Sequence, residues 1–96
     1  MQPQPANLDE KTKRYRVMLE GALEDIEISI GEKSYLAGVA DDYLNMARSY
    51  FNDGVHFVEK EDLVNALVCF SYGHAWLDAG VRLGVFTVSE AKLFAI

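Results

Sequence analysis

The stretch from Tyr43 to Phe86 constrains this chain more than any other part of it. Its apolar residues recur at helical spacing on both sides of a short polar break, Lys60-Glu61-Asp62. So short a break turns one helix back along the other, and the spacing predicts an antiparallel helical hairpin with its turn near Glu61. The stretch carries no nucleophile elbow, no phosphate-binding glycine loop and no paired metal-ligand motif. Fold is readable from it; chemistry is not.

Ninety-six residues hold one domain, and a composition half hydrophobic and one quarter charged is that of an ordinary globular chain. The net charge of -6 points away from nucleic acid and from an anionic membrane, both of which reward positive charge. The one basic cluster, Lys11, Lys13, Arg14 and Arg16, is followed by Glu20, Glu24, Asp25 and Glu27, as on a mixed solvated helix face. Cys69 is the single cysteine and lies in an apolar run, as a small buried hydrophobe would. A free thiol suits a reducing compartment. The polar, proline-bearing start is unlike a secretory leader, and no apolar run approaches the ~20 residues that span a bilayer. The expectation is a cytoplasmic protein.

Residues 1–6 hold both prolines and should form a disordered tail. Asn7 with Glu10 three residues later resembles a capping box, and Asp9 and Glu10 favour the positive end of a helix. The seam Leu8, Tyr15, Met18, Leu19, Ala22, Ile26 places a first helix at about 8–28. Gly31 interrupts the pattern, and Ser34 then caps a second helix whose seam runs from Leu36 through Val39, Ala40, Tyr43, Ala47, Tyr50 and Phe51 to Gly54 and Val58. Gly54 inside a helix costs about 1 kcal/mol against alanine, which implies a neighbour at close range.

Asp62 caps the third helix, at about 63–84. Its polar residues Ser71, His74, Asp78 and Arg82 share a stripe roughly 80° wide at 100° per residue. Ala66, Gly73, Gly80 and Gly84 form a line of small residues that admits another backbone. Leu63, Leu67, Phe70, Trp76, Leu77 and Val81 fill much of the rest, and a helix apolar nearly all round is covered on several sides. Two partner helices cover only part of it. Residues 7–86 thus read as an all-α, up-down-up three-helix bundle, with residues 87–96 as a C-terminal segment that forms a short helix if Ser89 caps it. Either that segment or a second copy of the chain covers the surplus apolar surface. Ala66, Gly73, Trp76, Gly80 and Gly84 are the expected interface in a homodimer.

The segments DGVHF, LVNAL-x2-F and YGHAWLDAGVRLGVF, with a looser match in YRVMLEGALEDI, closely resemble the archaeal family of proteins of unknown function numbered 357. The resemblance implies a small three-helix bundle of archaeal, cytoplasmic origin and carries no activity with it. The family's turn usually reads Lys-Gly-Asp, where this chain has Lys60, Glu61 and Asp62. A weaker likeness to tetratricopeptide repeats fails on length, since one hairpin is present and a solenoid needs about three repeats.

The candidate site is polar. His74 and Asp78, four apart, share a face, a spacing that suits a metal pair or an oriented acid–base histidine. With the turn near Glu61, Arg48 falls within one turn of both, and an Arg48–Asp78 ion pair with His74 alongside is the simpler reading, because such networks imitate functional sites. Asp53 comes near Ser71 or His74 by the same register, which completes a candidate cluster of Arg48, Asp53, Ser71, His74 and Asp78. His56 is offset from His74 by roughly 10 Å along the hairpin, too far to share a metal. Glu32, Asp41 and Asp42 read as a solvated acidic helix start. The tyrosines and Trp76 sit at seam positions and read as core rather than as a base-stacking platform. Without a third ligand, no metal and no cofactor are expected. The leading expectation is therefore a non-enzymatic interaction module whose partner is another protein or a second copy. The alternative is a small-molecule or metal-dependent activity built on Asp53, His74 and Asp78.

Overall fold

Each helix begins where a side chain takes over an orphan backbone donor. In the computed structural model, which describes residues 5–90 and Phe94, Asn7 Oδ1 accepts from the Glu10 N–H at 3.0 Å and opens α1, Leu8–Asp25. Asp9 and Glu10 occupy its first turn and pair with Lys13 and Arg14 at 3.2 Å each. These are exposed pairs that contribute little. Ser34 Oγ accepts from the Leu36 N–H at 3.2 Å and opens α2, Tyr35–Glu59. Asp62 accepts from the Asn65 N–H at 3.2 Å and opens α3, Leu63–Leu83.

The turn between α2 and α3 closes on Glu61, a non-glycine residue at φ 58. The Glu61 N–H donates to Val58 O at 3.0 Å and the Asp62 N–H to Phe57 O at 2.9 Å, a left-handed helix stop of the kind glycine usually supplies. Gly84, at φ 90, performs the same stop after α3, with the Val85 N–H reaching back to Gly80 O at 3.0 Å.

The first helix is shorter than its periodicity suggested. Ile26 is already extended (φ -74, ψ 139), and β1, Glu27–Ile28, pairs antiparallel with β2, Phe86–Thr87, through Glu27↔Thr87 and Ile28↔Phe86. Ser29 prolongs the contact, its N–H donating to Val85 O and its hydroxyl to Gly84 O, both at 2.9 Å. Two residues per strand leave the architecture all-α. Because β1 follows α1, β2 follows α3, and the two meet, α1 and α3 end together and run parallel, with α2 antiparallel to both. This is the up-down-up bundle expected.

The helix α3 is central. Both α1 and α2 pack on it and touch each other little, which gives a flattened body of about 50 × 33 × 16 Å. Its buried arc is Ala66, Cys69, Phe70, Gly73, Leu77 and Gly80. Leu19 and Ala22 of α1, Ala40 and Ala47 of α2, and Val85, Phe86 and Phe94 complete the core. Thr12 is buried as well, its hydroxyl satisfied by Leu8 O at 2.7 Å. The expected hairpin register holds: Tyr50 meets Tyr72, Tyr43 meets Trp76 and Phe51 meets Phe70, with ring centroids 4.8, 5.1 and 5.9 Å apart.

Ser89 does not start a helix among the described residues. Its hydroxyl and N–H donate to the Asp25 carboxylate, which also accepts the Glu90 N–H at 3.0 Å. That carboxylate therefore ties the chain beyond β2 to the end of α1, and the Ser89 hydroxyl leads in holding its pKa below the usual aspartate value. The remainder of the expected C-terminal helix, and most of the 1–6 tail, lie outside the described residues.

Candidate functional site

The polar stripe of α3 contains one close histidine–carboxylate pair. His74 Nδ1 lies 3.1 Å from Asp78 Oδ2, and the two side chains are 14% and 20% exposed. The four-residue spacing places them one turn apart on the same face. The His74 ring lies 5.7 Å from that of Phe94. His74 Nε2 is buried without a hydrogen-bond partner among the described residues.

The other three members of the candidate cluster are more open to solvent than that pair. Arg48, Asp53 and Ser71 are exposed. Asp78 meets His74 on its own helix in place of the expected Arg48 on α2. The reason is local: the histidine is already one helical turn from Asp78. Asp53 is felt by Cys69 instead. Burial first, and the Asp53 charge second, push the Cys69 thiol above its ordinary pKa, which keeps it protonated and unreactive near neutral pH. Among the described residues, no three His, Cys, Asp or Glu side chains converge as metal ligands.

The residues expected at a subunit interface also take different places. Ala66, Gly73 and Gly80 are buried inside the chain. A Cβ on Gly73 would stand 3.0 Å from Leu19 Cδ2, 3.0 Å from Tyr50 Cβ and 3.2 Å from Ala47 O, so this glycine lets α1 and α2 close on α3 at one level. A Cβ on Gly80 would overlap the Phe86 ring. Trp76 is half-buried against Tyr43, and Gly84 is the left-handed cap. The small-residue line serves the chain's own packing, because the helices that meet α3 choose the arc where backbones can come closest.

What that choice leaves outside is apolar. Val64, Val68, Tyr72 and Leu83 are 61, 58, 51 and 49% exposed, and Ala75 and Ala79 lie exposed between them. At 100° per residue the six fall within an arc of about 100°, one continuous stripe on the outer side of α3. The other helices show nothing comparable. The exposed positions of α2 from Asp41 onward are Asp41, Asp42, Asn45, Arg48, Ser49, Asn52, Asp53, His56 and Glu59. Within α1, beyond its first residue Leu8, Val17 stands alone among charged neighbours. The sequence shows apolar residues on both arcs of α3; the missed signal was that only one arc carries the glycines.

The bundle is similar to the crystal structure of protein AF1782 from the archaeon Archaeoglobus fulgidus, a member of DUF357, with a TM-score of 0.69. Sequence identity is 24%, over 85% of this chain and 93% of that one, which establishes a shared fold. No protein of curated function matches the sequence. No described helix is long and apolar enough to cross a membrane. The family model described as "Protein of unknown function (DUF357)" matches residues 14–86, from within α1 through α2 and α3 to the start of β2, and the chain belongs to that family.

Proposed function

We propose that this protein is a non-enzymatic interaction module of the cytoplasm, and that its docking face is the outer side of α3. The observation that carries this reading is the exposed stripe of Val64, Val68, Tyr72, Ala75, Ala79 and Leu83 on a chain whose other helices expose large apolar residues only singly, at Leu8, Val17 and Tyr35. Contiguous apolar surface on a small bundle is a cost in water unless something covers it. The net charge of -6 favours a protein partner over nucleic acid or an anionic membrane. A photoreactive residue at Val68 in the native host tests the reading, with the same group at Ser49 on α2 as control. Polypeptide cross-links should form from position 68 and not from 49. Equal labelling from both would refute it.

A second reading, small-molecule or metal-dependent activity on Asp53, His74 and Asp78, has one observation in its favour: the buried His74 Nε2, unpartnered among the described residues, an atom that a ligand would satisfy. It is weaker because Asp53 is exposed and no third ligand converges among the described residues. One equivalent of zinc in untagged protein, lost in His74→Ala, would promote it.

A further inference from the structure

The stripe on α3 matches itself. Its six apolar residues are arranged symmetrically about the peptide bond between Gly73 and His74: Val64 with Leu83, Val68 with Ala79, and Tyr72 with Ala75. Helical periodicity alone makes exposed positions roughly symmetric, but it does not fix which residue types stand at them. Here a large side chain stands opposite a small one in the two central pairs, Tyr72 with Ala75 and Val68 with Ala79. The polar flank follows the same rule, since exposed Asn65 and Arg82 exchange places under the same operation. A two-fold axis crossing the helix at its midpoint would therefore set bulk into space and polar rim against polar rim.

We propose that the partner covering this face is a second copy of the chain, docked α3 against α3 in antiparallel orientation about that midpoint. In this arrangement Tyr72 packs over the partner's Ala75, Val68 over the partner's Ala79, and Val64 meets the partner's Leu83. Contact along the whole stripe requires the two helices to lie close to antiparallel, at the crossing of about 20° usual in helical bundles. The helix dipoles favour the same orientation, because antiparallel α3 helices set opposite ends of their dipoles side by side. Arg82 is the one charge among the exposed positions of α3 itself, so the centre of the contact buries none.

The size is adequate. Four large side chains about half exposed, with two alanines, offer on the order of 400 Å² per protomer, as much as a typical monomer exposes in its largest patch. Doubled by symmetry and widened by Asn65, Ser71, Arg82 and the edges of Trp76 and Tyr50, the total reaches about 1,000 Å², the threshold for a specific interface. The isologous contact closes at two chains, and the polar faces of α1 and α2 are left outward.

The inference rests on the interaction-module reading, and the experiment separates the two. Sedimentation equilibrium of the intact protein at tens of micromolar should give twice the 10.8 kDa chain mass. Val68→Glu and Ala79→Lys, each at an exposed position and each checked for native helicity by circular dichroism, should be monomeric, because each sets a charge against an apolar partner. Mixed in equal amounts, they should recover a dimer containing one of each, since the carboxylate introduced at position 68 of one chain then faces the ammonium introduced at position 79 of the other. In a parallel pairing position 68 faces itself, and no rescue occurs. A monomeric intact protein would overturn the dimer while leaving the α3 face to a different protein, which the cross-linking from position 68 judges. A dimer that survives Val68→Glu would place the contact elsewhere, and loss of dimer without rescue on mixing would overturn the antiparallel register.

Discussion

Replacing Gly80 with alanine should weaken the protein, although the same change in an isolated helix would strengthen it. Alanine is about 1 kcal/mol more favourable than glycine inside a helix. At position 80, however, the new methyl would overlap the ring of Phe86. That ring is 3% exposed and its backbone is held by pairing with Ile28, so it has nowhere to move without opening the joint between β1 and β2. Overpacking of a filled site costs about 1–3 kcal/mol. The net loss is then up to about 2 kcal/mol, or several degrees in Tm at the ~4–8 °C per kcal/mol of a domain this size.

A double-mutant cycle removes the ambiguity of that difference. Phe86→Ala alone should cost about 3–5 kcal/mol, the usual range for emptying a buried aromatic site. In that background the methyl at position 80 has room, and Gly80→Ala should become stabilising by about 1 kcal/mol. The coupling between the sites is therefore about 1–3 kcal/mol, read from urea denaturation followed by circular dichroism at one fixed protein concentration, since any association makes stability concentration-dependent. Equal effects of Gly80→Ala in both backgrounds, within the ~0.3–0.5 kcal/mol expected of independent sites, would refute the claim that Phe86 docks on this glycine.

Three other outcomes follow from single residues. Glu61→Gly should stabilise the hairpin by about 0.5–1 kcal/mol, because Glu61 holds a left-handed backbone that penalises a Cβ and glycine does not; an unchanged urea midpoint would contradict it. Asp25, with its pKa lowered chiefly by the Ser89 hydroxyl, contributes stability that is fully present above its unfolded value and is lost as pH falls through the lower folded value. The acid unfolding curve of Asp25→Asn below about pH 4 should accordingly be flatter than that of the parent protein. Cys69, buried and with a raised thiol pKa, should react with iodoacetamide at neutral pH far more slowly than in urea; equal rates would mean that the α2–α3 contact opens readily.

The sequence alone determined what depends on local rules. Helical periodicity, the caps Asn7, Ser34 and Asp62, and a polar break too short for anything but a reversal were enough for three helices and the register of the hairpin. It also contained a signal that the helical reading passed over. Ile26-Glu27-Ile28-Ser29-Ile30 alternates with a period of two, as a strand does, and there α1 gives way to β1. Such a short alternation has no meaning until a partner strand is found, and that partner, Phe86–Thr87, is supplied from the far end of the chain. Tertiary structure alone decided which side of α3 is inside. Both arcs of that helix are apolar, so hydropathy cannot choose between them. Backbone proximity does: Gly73 and Gly80 admit Leu19, Tyr50 and Phe86, whereas Val68 and Tyr72 would hold a neighbour away. The polar pair formed for a related reason. A partner one turn away on the same helix is in reach at no further conformational cost, so Asp78 meets His74, and Arg48, on another helix, stays in solvent.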